Sequence, residues 1–512
     1  MTGTNAPPHA PSKVASNAAW VVAWRFSTRA LGFLSTFVLV RLLAPADFGL
    51  IMLATTFTDA VNALSAVGIQ DAIVREKAPD RTLYDTAFTM NAIRCLAMGA
   101  FIGIAAWPAA AFFAEPNLAY VLLALALVTV AGAGENIRVV DFRRDLAFHR
   151  EFKLFLLPRL VAITACVAVA AVWHSYWALV VGLMTNRLLQ FVLGYMLRPY
   201  RPRLCLRSWR KIIGFSVWTW LSSLVEVVRD RSDNIVVGHT LGTTQVGLFA
   251  VGAELAALPT TELVGPLCRV LFPGFTAKHN AGGSLADGYF QAVALTSLIT
   301  MPAGFGISMV AGPLVAIIFG PQWSAAVPVI AVLAIAGTLK VVAQISGTLF
   351  AATGLLSANF RIIAVTAGLR LVLLILLVQS FGLVGGAVAI LVSVALEEAL
   401  FLASAARKLG FRPMDLLRRT WRSLAATAVM AATLTSTGLA WSTPPTFAGT
   451  PAMHLLVAVP VGISAYFAAL VAAWLLAGRP EGAELYVARA VIRTLSRLSR
   501  RFRRPRPIHD RL

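Results

Sequence analysis

The chain has 512 residues, 58% of them apolar and only 13% charged, against about 25% charged in an ordinary soluble domain. With a mean hydropathy of +0.77 this excludes a water-soluble globular protein. A formal net charge of +21 would suit a nucleic-acid binder, but the basic residues lie in short segments between apolar runs, where membrane topology accounts for them, so no nucleic acid is expected as a partner.

Residues 1–19 are polar and hold neither a short apolar core nor a small-residue cleavage site, so the first apolar run is expected to be an uncleaved anchor. Runs long enough to cross a hydrocarbon core of about 30 Å follow at 20–43, 48–70, 83–112, 118–137, 152–172, 176–197 and 212–228. Seven more lie at 246–272, 290–310, 327–350, 360–378, 383–402, 424–441 and 455–476. The expected fold is an all-α polytopic membrane protein of about fourteen transmembrane helices. With the N-terminus inside, and residues within two of a span's end counted with the adjoining loop, segments facing the cytoplasm carry 33 of the 44 Lys and Arg, outward loops carry three (Arg41, Arg229, Arg231), and eight lie within spans. That asymmetry places both termini in the cytoplasm.

An internal repeat at an offset of 198 residues aligns Leu43-Ala44-Pro45-Ala46-Asp47-Phe48-Gly49-Leu50 with Leu241-Gly242-Thr243-Thr244-Gln245-Val246-Gly247-Leu248. At a slightly longer offset Phe113-Ala114-Glu115-Pro116 parallels Phe319-Gly320-Pro321-Gln322. Two six-helix copies in the same orientation would be related by an axis along the membrane normal. The expected division is a cytoplasmic segment 1–19, a first six-helix bundle 20–197, a basic linker 198–211, a second bundle 212–402, a basic loop 403–423, two further helices within 424–476, and a basic tail 477–512. The tail spaces Leu485, Ile492, Leu495 and Phe502 along one side of a helix rich in arginine. Both an amphipathic helix on anionic lipid and an unstructured topology anchor fit it.

The informative residues are charges inside spans. Arg29, Arg94, Arg187, Lys340 and Arg370 lie well inside, Arg25 nearer an end; each costs about 2.5–3.5 kcal/mol if it faces lipid. Facing a hydrated cavity or an anion removes most of that cost. Helical spacing gathers Arg25, Arg29, Gly32 and Thr36 on one stripe, Thr55, Asp59 and Asn62 on another, and Asn91 beside Arg94. These cations are candidates for binding an anionic substrate, such as a pyrophosphate-linked lipid, through bidentate hydrogen bonds. For Arg25 snorkelling is an equal alternative. Asp59, Glu226, Arg229, Asp230 and Asp233 are candidates for ion coupling or a gate, with a structural ion-pair cluster as the alternative.

The four cysteines (Cys95, Cys166, Cys205, Cys268) form no CxxC pair and read as packing residues; no metal and no cofactor is expected. Phosphate-loop, HExxH and GxSxG motifs are absent, so no catalytic residue is expected. The Gly99–Gly103 and Gly382–Gly386 pairs signal close helix packing at most.

The chain resembles the polysaccharide flippases (Wzx type) of the multidrug/oligosaccharidyl-lipid/polysaccharide exporter superfamily. The likeness runs through Arg29-Ala30-Leu31-Gly32, Leu43–Gly49, Phe215-Ser216-Val217-Trp218, Asp233-Asn234-Ile235-Val236-Val237-Gly238, Val246-Gly247-Leu248-Phe249, Val270-Leu271-Phe272-Pro273 and Ala351-Ala352-Thr353-Gly354. It implies two six-helix bundles around a central cavity, with two helices appended, and alternating access coupled to a proton or sodium gradient. It also implies translocation of undecaprenyl-pyrophosphate-linked oligosaccharide across a bacterial inner membrane, with Arg25, Arg29 and Arg94 in stretches comparable to those that contact cargo. Membrane lipids are partners, and polysaccharide assembly machinery is left open as another. A peptidoglycan-precursor flippase and a multidrug exporter share the fold, and the basic interior weighs against the second. A polysaccharide polymerase or ligase is the alternative of another class; the short, nearly uncharged outward loops weigh against it.

Overall fold

The computed structural model describes residues 27–28, 31–32, 34–65, 69–76, 79–145, 148–213, 217–441 and 450–479. Arg25, Arg29 and the basic tail beyond residue 479 lie outside the described residues. Among those described, every regular element is helical. The longer helices are α1 Pro45–Leu64, α2 Ile69–Arg75, α3 Arg81–Phe112, α4 Pro116–Ala131, α5 Phe148–Trp173, α6 Trp177–Leu197, α7 Val217–Leu241 and α8 Thr243–Ala256. They continue with α9 Leu258–Asn280, α10 Ala286–Met309, α11 Val327–Leu339, α12 Val341–Ala352, α13 Leu356–Leu409, α14 Pro413–Ser436 and α15 Pro451–Leu476.

Eight helical stretches of the described residues are long and apolar enough to cross a membrane. Their outer surfaces suit lipid: Ile104, Val172 and Leu456 are 79, 73 and 72% exposed. The apolar runs coincide with helical stretches, but five expected spans have a different backbone. The run 246–272 breaks at Ala257 into α8 and α9, and the run 327–350 breaks at Lys340 into α11 and α12. The run 212–228 extends as helix through the expected outward loop to Leu241. The expected spans 360–378 and 383–402 meet without a loop inside α13, at Gly382, whose φ of 60° and ψ of −141° only glycine adopts freely. Of the two glycine pairs, a Cβ on Gly99 would meet Val130 and Ala126 and one on Gly386 would meet Phe249 and Val378, while one on Gly103 or Gly382 would meet nothing within 4 Å.

The described residues form two compact units, one drawn from Met1–Val251, Ile318–Ala325 and Ala367–Gly386, the other from Gly252–Ile317, Ala326–Thr366 and Ala387–Leu512. In the first unit α3 and α4 pack together, as do α5 and α6, and α7 lies on α1. Its loops collect at two ends, which the 32 residues of α3 separate by about 48 Å. In the second unit α14 and α15 pack on α10 around Leu298, Met309, Met430, Leu434 and Tyr466. The Tyr466 hydroxyl, buried there, donates to the Leu298 carbonyl at 2.7 Å.

One end of the first unit explains the residues Leu43–Gly49. Pro45 opens α1, where its missing N–H costs nothing. Asp47 accepts from the Ala44 amide at 3.0 Å and from the Tyr176 amide at 3.1 Å, capping α1 and tying it to the start of α6. A Cβ on Gly49 would fall on the Thr243 carbonyl, and a Cβ on Gly247 on the Pro45 carbonyl. Since 45 pairs with 243 and 49 with 247 at the offset of 198, this is one contact made twice, as two copies facing each other across a local two-fold would make it. A second reciprocal pair stands beside it. Arg41 Nε donates to the Ile318 carbonyl at 3.2 Å, and His239, its counterpart, sits 2.9 Å from the Phe112 carbonyl.

At the other end, buried Asp141 accepts the Tyr84 hydroxyl and pairs with Arg198 at 3.0 Å and Arg138 at 3.3 Å. Buried Asp85 accepts from the Tyr200 hydroxyl at 2.5 Å and the Arg203 amide at 3.2 Å. The Cys205 amide donates to Thr89 and the Ser208 amide to Thr86. The basic segment after α6 is thus laced along the first turns of α3. Burial, then the bond to Asp85, raises the Tyr200 phenol above its usual range.

Candidate functional site

Two of the intramembrane arginines meet inside the first unit. Arg94, on α3, donates through Nη2 to Asn91 Oδ1 at 3.1 Å and through Nη1 to Ser65 Oγ at 3.4 Å, with Cys95 Sγ at 3.8 Å. Buried Asn91 donates in turn to the Gly132 carbonyl at 3.1 Å, just past the end of α4. There the chain takes a short 3-10 turn, Gly132–Gly134, and leaves the helix at Glu135. Arg187, on α6, reaches the same turn and pairs with Glu135 at 3.0 Å. A Cβ on Gly132 would stand 2.7 Å from Arg187 Nη2 and 3.4 Å from Cys95 Sγ, so glycine is what lets the guanidinium in.

Arg94, Arg187, Asn91, Cys95 and Glu135 therefore surround one turn of backbone. The partners of Arg94 among the described residues are neutral, and Arg187 and Glu135 are each about one-third exposed (34 and 30%). At the turn itself the two guanidinium groups meet one carboxylate, and their rigid forked donors suit a phosphate or other oxyanion. Beside the turn lies a cavity of about 40 Å³, lined by Glu135 together with Gln70, Asn136, Glu151, Phe155 and Gln190. It is large enough for two or three waters.

The other candidates are placed elsewhere. Arg370, on α13, is buried and pairs with Asp233 of α7 at 3.2 Å; the two were singled out for different roles and neutralise each other. Arg370 Nε has no hydrogen-bond partner among the described residues. Asp59, on α1, pairs with Arg231 of α7 at 2.7 Å, next to the buried Thr56–Asn234 hydrogen bond of 2.9 Å. Arg229 pairs with Asp230 at 2.8 Å, and Glu226 is exposed. Lys340 lies in the second unit, at the break between α11 and α12 rather than inside a helix. There Glu398 accepts from the Ala343 amide at 3.0 Å, satisfying an open donor at the start of α12. Among the described residues no group of His, Cys, Asp and Glu could hold a metal ion.

Glu135 and Ser65 were not among the residues the sequence singled out. The signal for Glu135 was present in Gly132-Ala133-Gly134-Glu135, a glycine-rich break ending an apolar run directly before a carboxylate. Its partner is 52 positions away, and no spacing rule reaches that far.

The model of the polysaccharide biosynthesis protein family matches residues 38–328, more than half of the chain. The chain belongs to this family. The match agrees with the resemblance drawn from the sequence. Among characterised relatives, the succinoglycan biosynthesis transport protein ExoT of Rhizobium meliloti is 23% identical over 63% of the chain. That alignment spans 66% of ExoT, just under two thirds of its length. The lipopolysaccharide biosynthesis protein WzxC of Escherichia coli is 24% identical over 68% of the chain and 72% of its own. Among solved structures, the lipid II flippase MurJ in an inward closed conformation superposes with a TM-score of 0.73 at 12% identity, covering 89% of this chain and 99% of MurJ. At that identity the likeness concerns the fold. The chain is a multi-pass membrane protein of a polysaccharide biosynthesis family, with a fold like that of a flippase.

Proposed function

We propose that the protein is a flippase that carries undecaprenyl-pyrophosphate-linked oligosaccharide repeat units across the bacterial inner membrane, by alternating access coupled to a proton or sodium gradient. Fourteen spans, both termini in the cytoplasm, and two six-helix bundles followed by two appended helices complete this reading. The observation that carries it is the convergence of Arg94 and Arg187 on the turn after α4: two forked cations gathered at one turn within a span are suited to hold a pyrophosphate. Arg25 and Arg29 extend the same basic interior in this reading, with Lys340 and Arg370 as its outlying members. The ion-coupling role belongs to the acidic groups on α1 and α7, Asp59, Glu226 and Asp233, together with their partners. Membership of a polysaccharide biosynthesis family favours a glycan cargo over a peptidoglycan precursor.

The test is purified protein in liposomes with a fluorescent polyprenyl-pyrophosphate disaccharide, scoring leaflet exchange with and without an imposed ion gradient. Gradient-dependent exchange that falls about tenfold or more in Arg94→Ala, the scale of a lost charged hydrogen bond, is the expected result. Arg94→Lys is expected to restore only part of it. Covalent growth or transfer of the glycan without exchange would sink the flippase.

A further inference from the structure

We infer that Glu135 is a built-in stand-in for the phosphate of the cargo, holding Arg187 while the site is empty and yielding it when cargo arrives. The inference rests on the anion-site reading given above. A carrier that resets empty must close over its binding cations without their anion, and an uncompensated guanidinium in a closed, low-dielectric site opposes that step. Arg187 is compensated in this structure by Glu135, at 3.0 Å.

The surroundings of Glu135 allow an exchange rather than a permanent bond. Glu135 follows the last residue of a three-residue turn, outside any helix, and its carboxylate is 30% exposed. Asp141 at the nearby end of the same unit is different, with a side chain only 3% exposed and locked by three partners. Glu135 also borders the cavity of about 40 Å³. The side-chain amide of Asn136 is already engaged with the Gly194 and Arg198 carbonyls. That leaves the amides of Gln70 and Gln190 to receive a displaced carboxylate. Glu151, a second carboxylate in the same lining, offers it no donor. The displaced position is therefore tolerated while cargo occupies Arg187 and abandoned when cargo leaves.

The experiment uses the full chain, the fluorescent polyprenyl-pyrophosphate disaccharide, and two readouts: equilibrium binding in detergent and leaflet exchange in liposomes. Glu135→Gln removes the competitor. It is expected to tighten binding about threefold, the scale of a half-exposed ion pair, while lowering kcat, so that KM and kcat fall together. Gln190→Leu removes an amide offered to the displaced carboxylate and is expected to weaken binding by a similar factor. It also serves if Glu135→Gln fails to assemble. Unchanged or weakened binding in Glu135→Gln, or unchanged binding in Gln190→Leu, overturns the stand-in. Arg187→Ala separates the two levels of the claim. If it abolishes binding while the Glu135 and Gln190 variants bind like wild type, the anion site stands and the stand-in fails; if it binds normally, the anion site itself is wrong.

Discussion

The two ends of the first unit are built on opposite principles. The end at Asp85 and Asp141 is held by buried carboxylates, each at the centre of a fan of donors from α3, the segment after α4 and the segment after α6. The end at Gly49 and Gly247 is held by backbone approaching backbone, by the Trp323 and Gln322 side chains donating to the Val40 carbonyl at 3.1 and 3.0 Å, and by the Arg41 and His239 contacts. Separating the first end would strand buried charges, at several kcal/mol each. Separating the second would expose backbone groups, which water can satisfy, and apolar side chains such as Trp323, but none of the contacts named there is a buried ion pair. If the flippase reading holds, the second end is the one that parts during transport and the first is the fixed base.

The largest expected effect comes from breaking the base. Asp141→Ala leaves Arg138, Arg198 and the Tyr84 hydroxyl without their common acceptor and should cost about 3 kcal/mol, read as a lowered unfolding temperature in detergent. An unfolding temperature within a degree of wild type would mean the network is ornamental to stability. Next comes Gly247→Ala, which sets a methyl against the Pro45 carbonyl and should cost about 2 kcal/mol by overpacking. Here the loss should be local. A maleimide probe at Glu115→Cys, beside Thr243, should react faster in the Gly247→Ala background, while native Cys205 at the base keeps its rate. Equal acceleration at both positions would mean the ends do not move independently.

Much of this comparison was legible in the sequence, though not its pairings. The repeat at offset 198 aligns Pro45 with Thr243 and Gly49 with Gly247, and the contacts are the crossed pairs Gly49–Thr243 and Gly247–Pro45. Hydropathy located the helices because lipid-facing surface is apolar whatever the backbone does. For the same reason it missed the breaks at Ala257 and Lys340: a window averages apolar content and is blind to φ and ψ. Intramembrane charges were found by their cost, but their partners were not. Arg370 and Asp233 are 137 residues apart and Arg187 and Glu135 are 52 apart; helical periodicity says which face a side chain is on, never which helix it meets. Glu135 lies two residues before the end of the expected span 118–137, where a carboxylate needs no special explanation.

The smallest effect on stability sharpens the comparison most. Asp59 and Arg231 join α1 to α7 at 2.7 Å, with side chains 46 and 35% exposed. An ion pair that wet contributes under about 1 kcal/mol, so Asp59→Asn should leave the unfolding temperature unchanged. The buried Arg370–Asp233 pair, two residues further along α7 from Arg231, has no such latitude, because removing either partner strands the other. A charge kept at little structural benefit between two helices of the separable end is suited to sensing an ion. Asp59→Asn should then leave binding of the pyrophosphate probe intact and remove the dependence of leaflet exchange on the imposed gradient. If exchange in Asp59→Asn still follows the gradient, the coupling group must be sought among Glu226 and Asp233, and Asp59–Arg231 becomes a surface tie between α1 and α7.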